Sequence, residues 1–180
     1  MMNLAKWSVS DYHRMIAAGI IGDRNLELIG GDIIEISPEG PLHSSRIRKG
    51  ANYLRRIFND LALVSEAHPI TLSNSEPEPD IALIRLPESR YDDRHPAPDD
   101  ILWLIEIADT TLHKDLNEKK HLYARSGINE YWVMDVNSNL LTVFREPIGD
   151  DYAFQQEYDR GEIASLAFPD IIVSVTQLFS

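Results

Sequence analysis

The run Ile101-Leu102-Trp103-Leu104-Ile105-Glu106-Ile107-Ala108 constrains this chain more than any other segment. A strand that is apolar at nearly every position has both faces covered. It therefore belongs in the middle of a sheet, with a packed layer on each side. A carboxylate in such a run is costly unless it is paired or binds a metal ion. Glu106 is singled out on that ground, against the plainer reading that it sits at the strand end and reaches water.

The surrounding pattern supplies the layers. Ser8 or Ser10 can cap a short helix from Tyr12 to Ala18, ended by Gly19. Leu26–Ile29 and Ile33–Ile36, joined by Gly30-Gly31-Asp32, read as a β-hairpin. A long helix is predicted from about His43 to Leu61, because Ile47, Ala51, Leu54, Phe58 and Leu61 fall on one helical face. Strands are predicted at Ile70–Leu72, Asp80–Ile84 and Ile101–Ile107, and a surface loop at Pro87–Asp100. A helix from about Lys114 to Ser126 stops at Gly127. Glu130–Asp135, Leu140–Phe144 and Tyr152–Gln156 form a strand meander, and Ile171–Val175 a terminal strand. Helices interleaved with strands and hairpins define an α/β or α+β class with a mixed central sheet.

Composition sets limits around this reading. The chain has 180 residues, 43% hydrophobic, which suits one domain over residues 1–180 with a sizeable core. It has no cysteine, so disulfides, thiolate nucleophiles and zinc–thiolate sites are excluded. No apolar run approaches the roughly 18 residues of a membrane span. The N-terminus lacks a secretory apolar segment, so a soluble cytoplasmic protein is expected. The net charge of -12 counts against holding nucleic acid by the whole surface, since phosphate binding relies on Lys and Arg. Carboxylates are, however, the natural ligands of hard divalent cations.

Four further positions bear on chemistry. Asp80 follows Glu76-Pro77-Glu78-Pro79 and opens a strand, because Pro79 cannot donate to a ladder. A turn-forming aspartate would look the same. Lys119 falls on the inward stripe of its helix with Leu112, Leu116 and Tyr123, at about 100° per residue. Lysine is seldom buried unpaired. An Asp115–Lys119 helix pair would explain the spacing but not its inward direction. Glu27 interrupts Leu26-Glu27-Leu28-Ile29 and fits an outward hairpin position. His43 opens the long helix, where a capping or packing histidine is common. Together, Pro-Asp at a strand start, a glutamate in the middle strand and an inward lysine on the next helix suit Mg²⁺ or Mn²⁺ binding and phosphodiester hydrolysis.

The order and spacing of several segments carry a resemblance. These are Tyr12 to Ile20, Glu27 to Ile33, Pro41-Leu42-His43, Glu76 to Ile81, Ile105 to Leu112, Asp115 with Lys119 and Tyr123, and Gly127 to Val133. They resemble the Uma-type restriction endonuclease family (DUF820-like) of the PD-(D/E)XK nuclease superfamily, over roughly Ser8 to Tyr152. The resemblance implies a restriction-endonuclease-like fold. It implies Asp80 and Glu106 as metal-binding carboxylates, the Ile107 carbonyl as a further ligand, and Glu27 as an accessory acid. The usual lysine lies two residues after the second acid, where this chain has Ala108. Lys119 takes that role in the reading, with His43 and Asp115 beside the ligands or facing substrate. Tyr123 reads as core, with a hydrogen bond for its hydroxyl.

Arg46, Arg48, Lys49, Arg55 and Arg56 lie off the apolar face of the long helix. They are candidates for a nucleic-acid surface, and an ordinary solvated helix exterior is the simpler reading. The expected activity is a Mg²⁺-dependent endonuclease acting on nucleic acid, DNA foremost. The alternatives are a nuclease-fold module without turnover and a hydrolase of small phosphodiesters. By analogy with nuclease folds a homodimer is expected, with Val133 to Phe154 and Leu178-Phe179 as candidate contacts.

Overall fold

The computed structural model describes residues 4–36 and 38–180. In chain order the elements are α1 (Val9–Ala17), β1 (Leu26–Ile29), β2 (Asp32–Glu35), α2 (Pro41–Phe58), β3 (Leu63–Glu66), β4 (Ile81–Ile84), β5 (Ile101–Ala108), α3 (Leu112–Lys114) and α4 (Lys120–Arg125). Then come β6 (Glu130–Asp135), β7 (Leu140–Ile148), β8 (Asp151–Tyr158), β9 (Glu162–Ser165), β10 (Phe168–Ser174) and α5 (Val175–Leu178). A π-helical turn, Asp115–Lys119, joins α3 to α4.

The central sheet has six strands in the order β3-β4-β5-β6-β7-β8. Only β5 and β6 run parallel, and α3 and α4 form their crossover. The other neighbours pair antiparallel. The sheet is mixed, and the run Ile101–Ala108 lies inside it with both faces covered. One face of β5 presents Trp103, Ile105 and Ile107 to a core that includes Leu54 and Phe58 of α2 and Leu178 of α5. The other presents Leu104 and Ala108 to a core that includes Leu122 and Tyr123 of α4 and Tyr131. Trp103 packs between Phe58 and Trp132, with centroids 5.2 and 5.7 Å away.

This alternation positions the site. Glu106 has the parity of Leu104 and Ala108, so it points toward α4. Asp80 has the parity of Ala82 and Ile84, which line the same core. Two strands therefore direct their acids to one side of the sheet.

Several elements differ from the sequence expectation. Ile70–Leu72 is not a strand, although Ile70 and Leu72 are buried. Its amides bond instead to the carbonyls of Pro77, Pro96 and Ser75. Apolar alternation there records burial, not ladder pairing. The edge strand β3 was not expected. α2 stops at Phe58, and a 3₁₀ turn, Asn59–Leu61, redirects the chain into β3. β9 was also not expected. The terminal strand ends at Ser174, whose hydroxyl caps α5 by accepting from the Gln177 amide at 3.4 Å. Leu178 and Phe179 do not form an outer contact surface. They are 0% and 7% exposed, packed into the core beside α2, because an apolar terminal turn is buried more readily than left in water. No helix among the described residues is long and apolar enough to cross a membrane.

Candidate active site

Asp80 sits just before β4, at the point where the β4–β5 ladder begins with Ile81 opposite Ile105. Beyond that pairing, the edge of β5 at Ile107 has no strand beside it on the β4 side. Asp80 fills the gap: its Oδ2 accepts from the Ile107 amide at 2.6 Å. In an extended strand, a residue's N–H and C=O face the same neighbour. The Ile107 carbonyl thus faces the edge that Asp80 occupies. The other Asp80 oxygen, Oδ1, lies 2.9 Å from His43 Nε2, on the first turn of α2. That hydrogen bond raises the His43 pKa, and burial opposes it.

Glu106 is 1% exposed. Its Oε2 pairs with Lys119 Nζ at 2.7 Å, and its Oε1 accepts from the Tyr123 hydroxyl at 2.7 Å. Burial pushes the Glu106 carboxyl up to about 8, while the nearby Lys119 charge pulls it down. For Lys119, burial disfavours the charge. Glu106, Glu27, Asp80 and Asp115 outweigh it and raise the ammonium above its usual value.

Lys119 owes its position to the π turn. No Asp115–Lys119 ion pair forms among the described residues. Asp115 instead accepts from the Thr111 hydroxyl at 2.5 Å. A π turn frees a backbone carbonyl from the helical ladder. The Tyr131 hydroxyl donates to the Asp115 carbonyl at 3.1 Å and so keeps it satisfied in the core. Burial raises the Asp115 carboxyl pKa.

Glu27 comes from β1. The hairpin is docked through the Glu76 amide, which donates to the Leu28 carbonyl at 2.7 Å. Glu27 is 1% exposed, so it is not an outward hairpin residue. Its Oε1 accepts from the Glu78 amide at 2.8 Å. Its Oε2 is buried with no hydrogen-bond partner among the described residues.

Glu27, His43, Asp80, Glu106, Asp115 and Lys119 line one cavity of about 330 Å³. Eight carboxylates face it: Glu27, Glu35, Glu39, Glu78, Asp80, Glu106, Asp109 and Asp115. Among the described residues that line it, only Lys114, Lys119 and His43 oppose them, while Glu35 is paired with Arg24. Negative charge is in excess, and one buried carboxylate oxygen has no donor among the described residues. Donor atoms of Glu39, His43 and Asp80 lie within 4.8 Å of one another. Among the described residues, Glu27, Asp80 and Glu106 do not form such a group, so their oxygens would have to draw together to share one ion.

Sequence reasoning did not single out Glu78 or Glu39. Glu78 was within reach, because Pro77 and Pro79 force an extended segment in which residues 78 and 80 share a side. Burial, then the Glu27 charge, raises its pKa. Glu39 lies in the irregular segment before α2, which has no period to read.

The basic residues of α2 do not act as a set. Arg46 donates to the Phe179 carbonyl and pins the C-terminus. Arg55 pairs with Glu66 at 2.5 Å and donates to the Val64 carbonyl at 3.0 Å. Arg48, Lys49 and Arg56 are exposed, with the Arg56 guanidinium 5.8 Å from the Tyr53 ring centroid.

The fold is of the restriction-endonuclease-like class. The family model described as "Uma2: Putative restriction endonuclease" matches residues 9–176, and the chain belongs to that family. Its structure is similar to a crystal structure from Anabaena variabilis described as "a putative nuclease belonging to DUF820". The TM-score is 0.67 at 19% identity, covering 86% of this chain and 89% of that one. Among curated proteins, none matches the chain.

Proposed function

We propose that this chain is a divalent-metal-dependent endonuclease that hydrolyses phosphodiester bonds in nucleic acid, DNA foremost. The observation that carries the reading is the charge imbalance of the cavity. A buried cluster of carboxylates with one orphaned oxygen, Glu27 Oε2, is stabilised by a cation. Asp80, Glu106 and the Ile107 carbonyl would hold Mg²⁺ or Mn²⁺, with Glu27 as the accessory acid. The ion would polarise a phosphoryl oxygen and acidify water.

The chain's own groups do the rest. His43 and the Ile107 amide fix the Asp80 carboxylate from two sides. Tyr123 fixes Glu106. Lys119 is held charged at the cavity wall, where it can neutralise charge on the pentavalent phosphoryl group. Asp115 and Thr111 brace the turn that presents it. Arg48, Lys49 and Arg56 offer the exposed positive charge of α2 to a phosphate backbone. A homodimer belongs to this reading, with the edge strand β8 as its contact, as does a cytoplasmic location.

The test is cleavage of DNA and RNA substrates with Mg²⁺ or Mn²⁺. Wild type is expected to cut, and Asp80→Ala and Lys119→Ala to fall to background. Activity that survives both substitutions would remove the site assignment. Binding of nucleic acid without cleavage would favour a module without turnover, which the overall charge of -12 makes the main competitor.

A further inference from the structure

A second group of ligating side chains lies outside the carboxylate cavity. His13 is on α1, Glu76 precedes the Glu78–Asp80 segment, and His95 is in the loop before β5. One ligand atom from each lies within 4.8 Å of the others. His13 Nε2 is 2.8 Å from Glu76 Oε1 and 2.7 Å from Oε2. His95 Nε2 is 3.9 Å from Glu76 Oε1, beyond hydrogen-bond reach. The Thr71 hydroxyl donates to Glu76 Oε2 at 2.9 Å.

Each Glu76 oxygen has a protein partner, but two imidazoles converge on this one buried carboxylate, so the group is not a simple closed pair. One ring nitrogen is equidistant from two carboxylate oxygens and cannot aim a proton at both. The second histidine faces the same carboxylate without reaching it. A cation among the three would satisfy all of them. In a tetrahedral zinc site with ligands at about 2.0–2.1 Å, ligand atoms stand about 3.3 Å apart. The observed separations of 2.7 and 3.9 Å straddle that value, so small side-chain shifts close the site.

We infer that His13, Glu76 and His95 form a binding site for a borderline-soft divalent ion, Zn²⁺ being the best fit. Two imidazoles and one carboxylate are a zinc donor set, whereas the oxygen-rich cavity suits Mg²⁺ or Mn²⁺. Thr71 orients the carboxylate ligand from behind. The histidine side chains are 47% and 44% exposed and the Glu76 side chain 2%, so the fourth position opens to water. The site would tie three separate segments together. The Thr71 amide already bonds to the Pro96 carbonyl at 2.9 Å, and the Glu76 amide to Leu28. The ion would thus brace the strip that leads from Glu76 to Asp80.

The test uses the full chain, stripped with chelator and titrated with Zn²⁺ by calorimetry in excess Mg²⁺. Co²⁺ absorption in the visible range serves as a second readout. One saturable Zn²⁺ event per chain is expected, retained in Asp80→Asn and lost in His13→Gln and His95→Gln. Thr71→Val is expected to weaken it about 10-fold to 100-fold. The exposed histidines tolerate replacement, and unchanged circular dichroism confirms that the variants fold. No saturable event in the wild type would overturn the inference. So would an event that persists in both histidine variants, or one that disappears in Asp80→Asn, which would place the ion in the carboxylate cavity.

Discussion

Glu106 and Glu130 are both buried carboxylates on adjacent parallel strands, and they behave as opposites. Glu106 lies near the carboxyl end of β5 and faces α4. Glu130 opens β6, at the other end and on the other face of the sheet. Glu130 is 0% exposed. Its Oε1 accepts from Trp132 Nε1 and Arg145 Nε, each at 2.8 Å, and its Oε2 from the Leu166 amide at 2.6 Å. One guanidinium answers one carboxylate, and two neutral donors complete the set. Around Glu106, a single lysine is shared among Glu106, Glu27, Asp80 and Asp115. Burial and hydrogen bonding do not distinguish the two centres. Charge balance does: the Glu130 centre is closed, and the Glu106 centre has room for a cation.

The sharpest way to break this contrast is to remove the cation of each centre. Arg145→Met should cost about 3–5 kcal/mol, because Glu130 is left as an uncompensated buried charge. Urea unfolding measures it, and a cost below about 1 kcal/mol would mean that Glu130 is not a closed pair. Adding Glu130→Gln should recover much of the loss. Lys119→Met should instead lower cleavage about 10²–10³-fold. Its stability cost should be smaller than that of Arg145→Met, since its carboxylates can take up a proton or an ion. Mn²⁺ should then stabilise this variant more than it stabilises Arg145→Met, which keeps the wild-type cavity and gains no more from the ion than wild type does. Equal responses to Mn²⁺ would erase the distinction between the centres.

The contrast also shows what a sequence can reveal. The apolar run of β5 isolates Glu106 because a strand covered on both faces leaves an acid conspicuous. The inward position of Lys119 follows from helical spacing, even though the turn that carries it is π-helical. Its partner did not follow. Uniform spacing favours Asp115, whereas the structure pairs Lys119 with Glu106, across the gap between helix and sheet. Asp80 became legible through Pro79, which marks the strand start. Glu39, His13 and His95 sit in segments or on surfaces where no period constrains a side chain. Their convergence exists only in three dimensions. The strand β3 was missed for a related reason: four residues after a helix carry too little pattern to outweigh the helix before them.

The pH dependence of metal-free protein should separate the centres further. The Glu106 carboxyl is raised to about 8 in the fold from an ordinary value of 4.5, by burial first of all. Between those values the folded state binds more proton than the unfolded one, so stability falls as pH rises. Its favourable contribution is complete below about 4.5 and lost through about 8. With chelator present, stability should decline from pH 5 to pH 8 by on the order of 2 kcal/mol. Glu106→Gln should flatten that slope, and an equal slope in the variant would reject Glu106 as its source.

The smallest effect lies at the other end of the same strand, where the sign reverses. Asp100 precedes Ile101 and is 3% exposed. The hydrogen bond from Arg94 holds its carboxyl below the usual value, aided by the Ala97 amide and the Arg90 charge, while burial opposes. Arg94 Nη1 stands 2.6 Å from Oδ2, and Arg90 Nη2 3.1 Å from Oδ1. Here the folded state binds less proton than the unfolded one. The contribution is present above pH 3.8 and lost as pH falls through the lowered folded value. Both arginine side chains are 42% exposed, and water screens them. Asp100→Asn should therefore cost only about 1 kcal/mol at pH 7, and less at pH 3. Urea midpoints at the two pH values measure the difference. A cost that grows on acidification would show that Asp100, like Glu106, is held against its charge, and the two ends of β5 would no longer differ in kind.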